Sequence, residues 1–400
     1  MQRMKELKRT LYLDKLKKVV GTCDIKVITG CRRSGKSTIL RNLIDYLKVE
    51  FPDANIISID FSLLQFEHLK EYKALNEFVE NNYVAGKTNF LFIDEVQMCH
   101  KFELAINSFH ASRKYDVYIT GSNAFLLKND LATLFTGRVF KVDVFPFSFR
   151  EFIEYFEYKD INLAFEEYRK GGGMPGSYAY PTAEEKQGYL SETFNTIILR
   201  DIVQKYGVRN VQLLEMLADY MTDNVSNLIS NNNVSKAFKA NNVKTNDKTV
   251  GQYISYLCNA FIFYKMRRYD IKGKKYLASN DKYYLVDTSF RYARLGLRNT
   301  DFGRLSETIV SLELMRRGYE VYAGVLYSKE IDFVAIKGPE KIYIQVAEYI
   351  DNPATFEREY KPLLSIRDAY DKIILARTRQ EEYTYEGIKA IDIADWLVGK

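Results

Sequence analysis

The residues with the clearest chemical capability form a glycine-rich segment, GCRRSGKS, at positions 30–37. The apolar run DIKVIT precedes it and an amphipathic run follows it, which predicts a strand before the segment and a helix after it. Glycines let backbone N–H groups close around phosphate oxygens, and a helix N-terminus adds the positive end of its dipole. The segment therefore predicts a phosphate-binding loop for ATP. Its predicted contact residues are Gly30, Cys31, Arg32, Arg33, Ser34, Gly35, Lys36, Ser37 and Thr38.

Two residues of this loop have specific predicted roles. Lys36 places an ammonium on the β and γ phosphates, which makes it a catalytic as well as a binding residue. Ser37 supplies a hydroxyl to Mg²⁺. The alternative, a chance glycine turn before a helix, is opposed by a second motif.

That second motif is NFLFIDEVQ at positions 89–97, an apolar run that ends in two adjacent carboxylates. In P-loop enzymes a Walker B aspartate at such a strand end holds Mg²⁺, and Asp94 matches that position. Because the strand ends here, Glu95 can turn toward the γ phosphate and orient or deprotonate the attacking water. Two solvated charges at a strand end are the alternative interpretation.

Two further polar positions are candidates for the same site. The strand-like run NIISID separates the two motifs, which favours the P-loop branch with a catalytic carboxylate after Walker B and a polar sensor on the next strand. That next strand is YDVYIT, and GSNA follows it, so Ser122 or Asn123 is the predicted sensor, with Asn123 taken as the catalytic candidate. An ordinary polar turn is the alternative.

An arginine that reaches the phosphates would complete the site. Arg138, in LFTGRVFKVD, is the first candidate, acting either in its own subunit or on a neighbouring one, with a structural role in the loop as the alternative. Arg200 and Arg209 are weaker candidates of the same kind.

The elements that must position these residues can be read from hydrophobic periodicity. Over residues 1–150, short apolar runs alternate with amphipathic ones, which predicts βαβ units and a mostly parallel sheet covered on both faces. After the loop, one helical stripe faces the sheet: Leu40, Leu43, Ile44 and Leu47. We therefore expect an α/β P-loop domain over residues 1–150.

The rest of the chain predicts three further segments. Residues 151–208 read as a helical lid or linker, broken by a turn at GGGMPG. Residues 209–300 read as three helices and a β-hairpin around IKGKK, which indicates a winged helix. Residues 301–400 read as a small α/β domain with a helix, three strands, a helix and a strand.

Composition limits the class of protein and its partners. Hydrophobic residues make up 46% of the chain, and four scattered cysteines with three histidines form no zinc or disulfide pattern. No stretch reaches the roughly 18 apolar residues of a bilayer span, so we expect a cytoplasmic protein that is not inserted in a membrane. Residues 261–300 hold ten Lys or Arg against three Asp, so any face that binds DNA or another polyanion is expected in that segment, with a solvated hairpin as the alternative.

Taken in order, these motifs resemble prokaryotic AAA+ superfamily ATPases with a C-terminal domain of unknown function related to PD-(D/E)xK nucleases. The likeness spans nearly the whole chain. It rests on GCRRSGKST, LFIDEVQ, ITGSNA, TGR before FPFSFREF, GGMPG, ILRDI, the KYYLVD hairpin, ETIVSLELMRRGYEVY, EIDFV and IYIQVA. The resemblance implies an AAA+ (ASCE) ATPase core, a helical and winged-helix middle, and a nuclease-like end.

The nuclease resemblance is incomplete at its active positions. Glu307 matches the glutamate that such nucleases carry on a helix, and Asp332 matches the strand aspartate. The (D/E)xK position reads Gln345, Val346, Ala347, and Glu348 lies one step off, where strand alternation would turn it to the other face. We therefore expect a nuclease fold without nuclease activity.

The sequence favours a Mg²⁺-dependent ATP hydrolase that acts as a nucleotide-driven switch, with DNA, other proteins or further copies of itself as partners. Two alternatives stay open at this point. One is an ATP-regulated DNA nuclease, and the other is a nucleotide-gated interaction or defence switch with negligible turnover.

Overall fold

The computed structural model describes residues 7–122, 135, 137–296 and 301–399, with the backbone alone at residues 277–279. These residues divide into two compact units. The first contains the residues up to Val144 together with Asn259–Phe261, and the second contains Phe145–Cys258 and the residues from Ile262 onward. The predicted boundary at residue 150 lies close to the observed one.

The first unit contains a five-stranded sheet and its covering helices. The strands are β1 (Ile25–Thr29), β2 (Asn55–Asp60), β3 (Asn89–Asp94), β4 (Tyr115–Gly121) and β5 (Val139–Asp143). The helices are α1 (Thr10–Lys17), α2 (Lys36–Glu50), α3 (Tyr72–Asn81) and α4 (Phe102–Ser112). Short 3₁₀ turns cover Leu64–Leu69 and Val96–Met98.

All strands of this sheet run parallel, in the order β2-β3-β4-β1-β5. The predicted parallel α/β sheet is therefore confirmed. Strand β4 lies between β1 and β3, although it follows both in sequence. Since the carboxyl ends of parallel strands share one edge, the residues after β4 come between those that follow β1 and those that follow β3.

Helices cover both faces of the sheet. Helices α1 and α2 pack on one face around Ile28 and Tyr118, and α3 and α4 pack on the other around Val27 and Ile119. Every residue of β1 and of β3 is buried, as expected for strands covered on both sides. In α2 the predicted stripe is confirmed at three buried leucines, with Ile44 half-buried; the leucines are Leu40, Leu43 and Leu47.

The second unit combines helices with a larger mixed sheet. The helices are α5 (Phe149–Phe156), α6 (Ile161–Gly171), α7 (Ala183–Thr196), α8 (Val211–Asp223), α9 (Asn231–Ala240), α10 (Asp247–Asn259), α11 (Ser289–Leu295), α12 (Phe302–Arg316), α13 (Pro353–Leu364) and α14 (Ile393–Val398). A π-helical stretch, Ile197–Gln204, continues α7, and a 3₁₀ turn covers Pro175–Ala179.

The strands of the second unit are β6 (Leu228–Ile229), β7 (Phe263–Asp270), β8 (Lys275–Leu285), β9 (Glu320–Leu326), β10 (Lys329–Lys337), β11 (Glu340–Val346), β12 (Asp371–Ala376), β13 (Tyr383–Tyr385) and β14 (Ile388–Asp392). They form one sheet in the order β13-β14-β12-β11-β10-β9-β7-β8-β6.

This topology corrects the predicted separation of residues 209–300 from residues 301–400. Strand β7 of the predicted wing pairs in parallel with β9 of the C-terminal part, with Arg268 opposite Ala323. The hairpin β7–β8 is therefore an extension of the C-terminal sheet. Sequence periodicity located both sets of strands but carries no information on which edges pair, because pairing depends on residues far apart in the chain.

None of the helices within the described ranges is both long and apolar enough to cross a bilayer.

Candidate functional site

The segment at residues 30–37 forms a tight loop between β1 and α2. Gly30 has φ 151°, and a Cβ there would lie 2.1 Å from the carbonyl oxygen of Val144. Gly35 caps α2 in a left-handed conformation with φ 101°. Glycine is thus required at the start of the loop by packing and favoured at its end by backbone conformation.

Lys36, the first residue of α2, folds back over the loop. Its side chain is buried, and Nζ donates hydrogen bonds of 3.0 Å to the carbonyl oxygens of Gly30 and Cys31. The buried Arg9 supports the loop from outside, since its Nη1 donates to the Ser34 carbonyl at 2.8 Å. The loop therefore holds its lysine at the carboxyl end of β1.

Asp94 is the last residue of β3, at the same edge of the sheet. Burial raises the pKa of its carboxyl, although hydrogen bonds from Ser37 and Thr120 oppose that rise. The Ser37 contact joins the loop hydroxyl and the strand-end carboxylate that were both predicted to hold Mg²⁺. A hydroxyl and a carboxylate are oxygen ligands of the kind that this ion prefers.

Glu95 leaves the strand in a left-handed conformation, with φ 55° and ψ 47°. Its carboxylate accepts hydrogen bonds from Gln97 and from Ser122, the latter at 3.0 Å. Burial opposes its ionisation, but the positive charge of Lys36, these hydrogen bonds and the charge of Arg32 outweigh burial and lower its pKa. The left-handed turn therefore gives a charged Glu95 on the same side as the phosphate loop.

Of the two sensor candidates, Ser122 lies beside Glu95, whereas Asn123 lies outside the described residues. Two partners were missed from the sequence. Thr120 Oγ1 accepts from the Glu95 N–H at 3.0 Å and donates to Asp94, and Gln97 Nε2 contacts both Glu95 and Ser122. Thr120 belongs to ITGSNA and Gln97 to LFIDEVQ, two motifs already noted. Their places in these motifs are the sequence signal that could have identified them as partners of the carboxylates.

The arrangement fits ATP with Mg²⁺ on three observations. Ser34 Oγ is buried without a hydrogen-bond partner among the described residues, so the loop contains an unused polar atom. Lys36 donates to loop carbonyls that a phosphate oxygen could replace as acceptors. Ser37 and Asp94 already contact each other where the ion would be held. Ser34 and Lys36 would therefore hold the triphosphate, and Ser37 and Asp94 would hold the ion.

Arg138 is not brought to this site. It directly precedes β5, and its carbonyl accepts from the N–H of Ile25 at the start of β1. It is exposed and lines a cavity of about 690 Å³ together with Thr22, Lys114 and Asp116. The phosphate loop follows the other end of β1, a five-residue strand that rises about 3.3 Å per residue. The predicted role of Arg138 in its own subunit is therefore wrong, and a role toward a neighbouring subunit stays a prediction.

The weaker arginine candidates, Arg200 and Arg209, are exposed residues of the second unit and stay predictions.

The basic segment at residues 261–300 presents a smaller positive surface than its composition suggested. Four of its cations are buried or paired with carboxylates: Lys265, Lys282, Arg291 and Arg294. Four others are exposed on the hairpin β7–β8: Arg267, Lys272, Lys274 and Lys275. Arg268 of β7 is half-buried, and Arg298 lies outside the described residues. The exposed cations that could support the predicted DNA contact therefore lie toward the end of this hairpin. The predicted winged helix stays a prediction.

All the C-terminal positions compared with nucleases except Gln345 line a cavity of about 360 Å³. Glu307 of α12 and Asp332 of β10 both lie 3.6 Å from the ammonium of Lys282 in β8, which also contacts Glu330. Burial raises the pKa of Glu307 and of Asp332. Gln345, in place of the third carboxylate, accepts from the Asp332 N–H at 2.7 Å. Lys282 was missed because it lies in a different predicted domain.

Glu348 differs from its prediction. Strand β11 ends at Val346, so strand alternation does not apply to Glu348. It lines the same cavity as Asp332 and pairs with Arg169 at 3.4 Å. It therefore adds a charge to the rim of this cavity instead of facing the opposite side of the sheet.

Comparison with protein families gives two matches along the chain. Residues 23–153 match the family described as AAA domain, and residues 162–301 match a domain of unknown function (DUF8612). The second match ends at residue 301, so the nuclease resemblance of the C-terminal part has no match beyond that residue among these two and stays a prediction.

Two relatives extend over nearly the whole chain. An uncharacterized protein of Haemophilus influenzae is 35% identical over 398 residues, which cover 98% of this chain and 98% of the relative. An uncharacterized protein of Methanocaldococcus jannaschii is 28% identical and covers 93% of this chain and 85% of its own length.

Two solved structures are similar to this chain over part of its length. The Aeropyrum pernix ORC1 protein, in complex with DNA, is 10% identical with a TM-score of 0.36, covering 79% of this chain and 95% of that one. AMPPCP-bound DnaA from Aquifex aeolicus is 14% identical with a TM-score of 0.29, covering 63% of this chain and 92% of that one. At these sequence identities and TM-scores, neither structure indicates what this chain binds.

Proposed function

The chain belongs to the same protein family as the Haemophilus influenzae relative and contains an AAA domain, and on that premise we propose that it is a Mg²⁺-dependent ATP hydrolase that works as a nucleotide-driven switch. The observation that carries the proposal is the convergence of a buried lysine, a strand-end aspartate and a charged glutamate at one edge of the first sheet. These residues are Lys36, Asp94 and Glu95.

Each residue has a distinct part in hydrolysis. Lys36, released from the loop carbonyls, binds the β and γ phosphates and stabilises the charge that develops as the γ phosphoryl group leaves. Bound Mg²⁺ would neutralise phosphate charge, with Ser37 and Asp94 as its protein ligands. Glu95 has a lowered pKa, so its carboxylate is charged and able to accept a proton from the attacking water.

Ser122, Gln97 and Thr120 determine where Glu95 can point. Ser122 and Gln97 hold the carboxylate, and Thr120 holds the backbone N–H of the same residue. Because Ser122 follows β4, a shift of that strand end would move the base relative to the loop. This supports a switch in which the rate of ATP hydrolysis depends on the position of the end of β4.

Single substitutions at the site test the proposal. Lys36→Ala should abolish ATP hydrolysis, because the ammonium on the phosphates is removed. Glu95→Gln should retain ATP binding but lower turnover by about 10² or more, the usual size of a general-base contribution. Phosphate release measures turnover, and a fluorescent ATP analogue measures binding.

Lys48→Ala is the matched control for the lysine variant, since Lys48 lies on the same helix and its side chain is 61% exposed. It should hydrolyse ATP at the parental rate. A Lys36→Ala protein that hydrolyses ATP at the parental rate would refute the assignment of the ATP site. Slow hydrolysis by the parental protein that Glu95→Gln leaves unchanged would favour a switch with negligible turnover.

Nucleic acid is the proposed partner of the second unit. The support is the group of exposed cations at the end of the hairpin β7–β8: Arg267, Lys272, Lys274 and Lys275. Protein partners and self-association stay open alternatives.

A further inference from the structure

Three exposed tyrosines of the second unit each have a cation over the ring. Arg267 lies 5.2 Å from the ring centroid of Tyr276, Lys272 lies 4.7 Å from that of Tyr327, and Lys341 lies 4.6 Å from that of Tyr370. The tyrosines are 49%, 70% and 42% exposed, respectively. Each pair therefore presents a flat ring and a positive charge together at the surface.

Two of these pairs, those of Tyr276 and Tyr370, belong to one row of rings, and the third, Lys272 with Tyr327, lies at the hairpin turn. The ring of Tyr276 lies 5.1 Å from Tyr322 and 5.7 Å from Tyr269. Lys341 lies over both Tyr269 and Tyr370, which joins this group to the pair of Tyr370. Tyr269 and Tyr322 pack in one core cluster of the sheet, so the row rests on a fixed base. We call this row, the Lys272–Tyr327 pair and the cations of the hairpin end the tyrosine surface.

Among the exposed tyrosines of the second unit that the structure describes, the arrangement is confined to these three. Four other tyrosines of the second unit are at least 37% exposed, and none of them has a Lys or Arg over its ring among the residues that the structure describes. These are Tyr180, Tyr349, Tyr383 and Tyr385. Exposure alone therefore does not explain the three pairs.

Charge on the tyrosine surface is positive at the hairpin end. The cations of the whole surface are Arg267, Lys272, Lys274, Lys275 and Lys341, and the carboxylates beside its rings include Asp270, Glu320 and Asp368. Two of the carboxylates accept hydrogen bonds from tyrosine hydroxyls: Glu320 from Tyr322 at 2.8 Å and Asp368 from Tyr343 at 2.6 Å. At the hairpin end alone, Arg267, Lys272, Lys274 and Lys275 stand against the single carboxylate of Asp270.

We propose that the tyrosine surface binds single-stranded nucleic acid, with bases stacked on Tyr276, Tyr327 and Tyr370 and phosphates beside the neighbouring cations. Aromatic side chains in a positive groove are the shared feature of proteins that bind single strands without sequence preference. A duplex keeps its bases stacked inside, so its phosphates would contact the cations but its bases would not stack on the tyrosine rings. The proposal deepens the nucleic-acid partner proposed above and is independent of ATP turnover.

Binding of a fluorescein-labelled oligothymidylate, followed by anisotropy at several salt concentrations, tests the proposal. Tyr327→Ala and Tyr276→Ala should each weaken binding on the order of tenfold and leave the salt dependence unchanged, since base stacking is removed while the phosphates keep their cations. Lys272→Gln with Arg267→Gln should flatten the plot of log affinity against log salt by about 0.7 for each phosphate that is no longer neutralised.

Tyr383→Ala is the matched control, because Tyr383 is 40% exposed and has no cation over its ring in the described part of the chain. It should bind like the parental protein. Parental affinity in both Tyr327→Ala and Tyr276→Ala would overturn the proposal. So would equal binding of duplex DNA, or displacement of the oligonucleotide by polyglutamate at the same charge concentration, which would indicate an acidic protein partner.

ATP hydrolysis without nucleic acid separates this proposal from the proposed ATPase function. The tyrosine variants should hydrolyse ATP at the parental rate, because they lie in the other unit. A parental protein that hydrolyses ATP normally but does not bind the oligonucleotide would refute the tyrosine surface alone. A parental protein that binds the oligonucleotide but does not hydrolyse ATP would refute the ATPase alone.

Discussion

Asp287 links two motifs that the sequence shows far apart, GGGMPG and KYYLVD. Its carboxylate accepts from the N–H groups of Gly173 at 2.7 Å and Ser289 at 2.9 Å. A Cβ on Gly172 would lie 1.9 Å from the same carboxylate, which explains glycine there. Burial raises the pKa of Asp287 to about 6, although its hydrogen bonds and the charge of Arg316 oppose the rise. A single carboxyl therefore joins the helical segment to the sheet.

The stability of the second unit should depend on this carboxyl. Because the folded pKa of about 6 lies above the ordinary value of 3.8, the folded state holds the proton more tightly, and this stabilisation is lost as pH rises through 6. The difference in unfolding free energy between the parental protein and Asp287→Asn should therefore fall by up to roughly 3 kcal/mol between about pH 4 and about pH 7. Fluorescence of the single tryptophan during urea unfolding measures it.

Trp396 makes this measurement specific, since it packs in the core of the second unit. The exposed Asp371→Asn serves as the control, because it makes the same chemical change on the surface of the same unit. A constant difference for Asp287→Asn would show that the buried carboxyl does not titrate in this range.

At the scale of elements, strand β8 brings the ammonium of Lys282 into a cavity lined by carboxylates of α12 and β10. The lysine is 3% exposed and contacts Glu307, Glu330 and Asp332. Burial alone would lower the pKa of Lys282, but the three carboxylates outweigh burial and raise it. The hairpin therefore supplies the counter-ion for carboxylates that would otherwise repel each other.

Removal of this counter-ion should be costly. Lys282→Met keeps the length of the side chain and leaves three carboxylates without their shared partner, so unfolding free energy should fall by about 3–5 kcal/mol. Adding Asp332→Asn should recover part of the loss. Urea unfolding followed by tryptophan fluorescence measures both variants.

Lys265→Met is the control on the neighbouring strand, because Lys265 pairs with Asp281 at 2.6 Å while 48% exposed. An exposed pair of this kind contributes at most about 1 kcal/mol. Equal losses in the two methionine variants would mean that the cavity carboxylates do not depend on Lys282.

At the scale of the whole molecule, the proposed ATP site and the proposed nucleic-acid surface belong to different units. Arg138 adds a constraint, because it lies at the edge of the first sheet opposite the phosphate loop. If it serves catalysis, it must act on the ATP of a neighbouring subunit. Hydrolysis would then require self-association.

Mixing two inactive proteins tests this requirement. Arg138→Ala and Lys36→Ala should each hydrolyse little ATP alone, but a mixture should recover a measurable part of parental turnover, because the Lys36→Ala subunit still offers Arg138 to its neighbour. Arg113→Ala, an exposed arginine that lines the same cavity as Arg138, is the control and should keep parental turnover. Full turnover by Arg138→Ala alone, or no recovery on mixing, would leave Arg138 with a structural role.

The sequence by itself determined the features that depend on neighbours along the chain. A strand, a glycine loop and a helix in succession predict where Lys36 lies, and an apolar run that ends in two carboxylates predicts the positions of Asp94 and Glu95. Hydrophobic periodicity likewise located the parallel sheet and the hairpin. These features follow from local backbone geometry and from which faces must be buried, so one segment contains the information for each.

Only the tertiary structure decided which segments meet. The order of the strands places Thr120 and Ser122 between the loop and the carboxylates, carries Arg138 to the opposite edge, and joins the hairpin of Lys282 to the sheet of Asp332. The hydrogen bonds that pair two strands join backbone groups, and these groups are the same whatever the side chains are. Periodicity therefore shows that a strand exists but not which strand lies beside it.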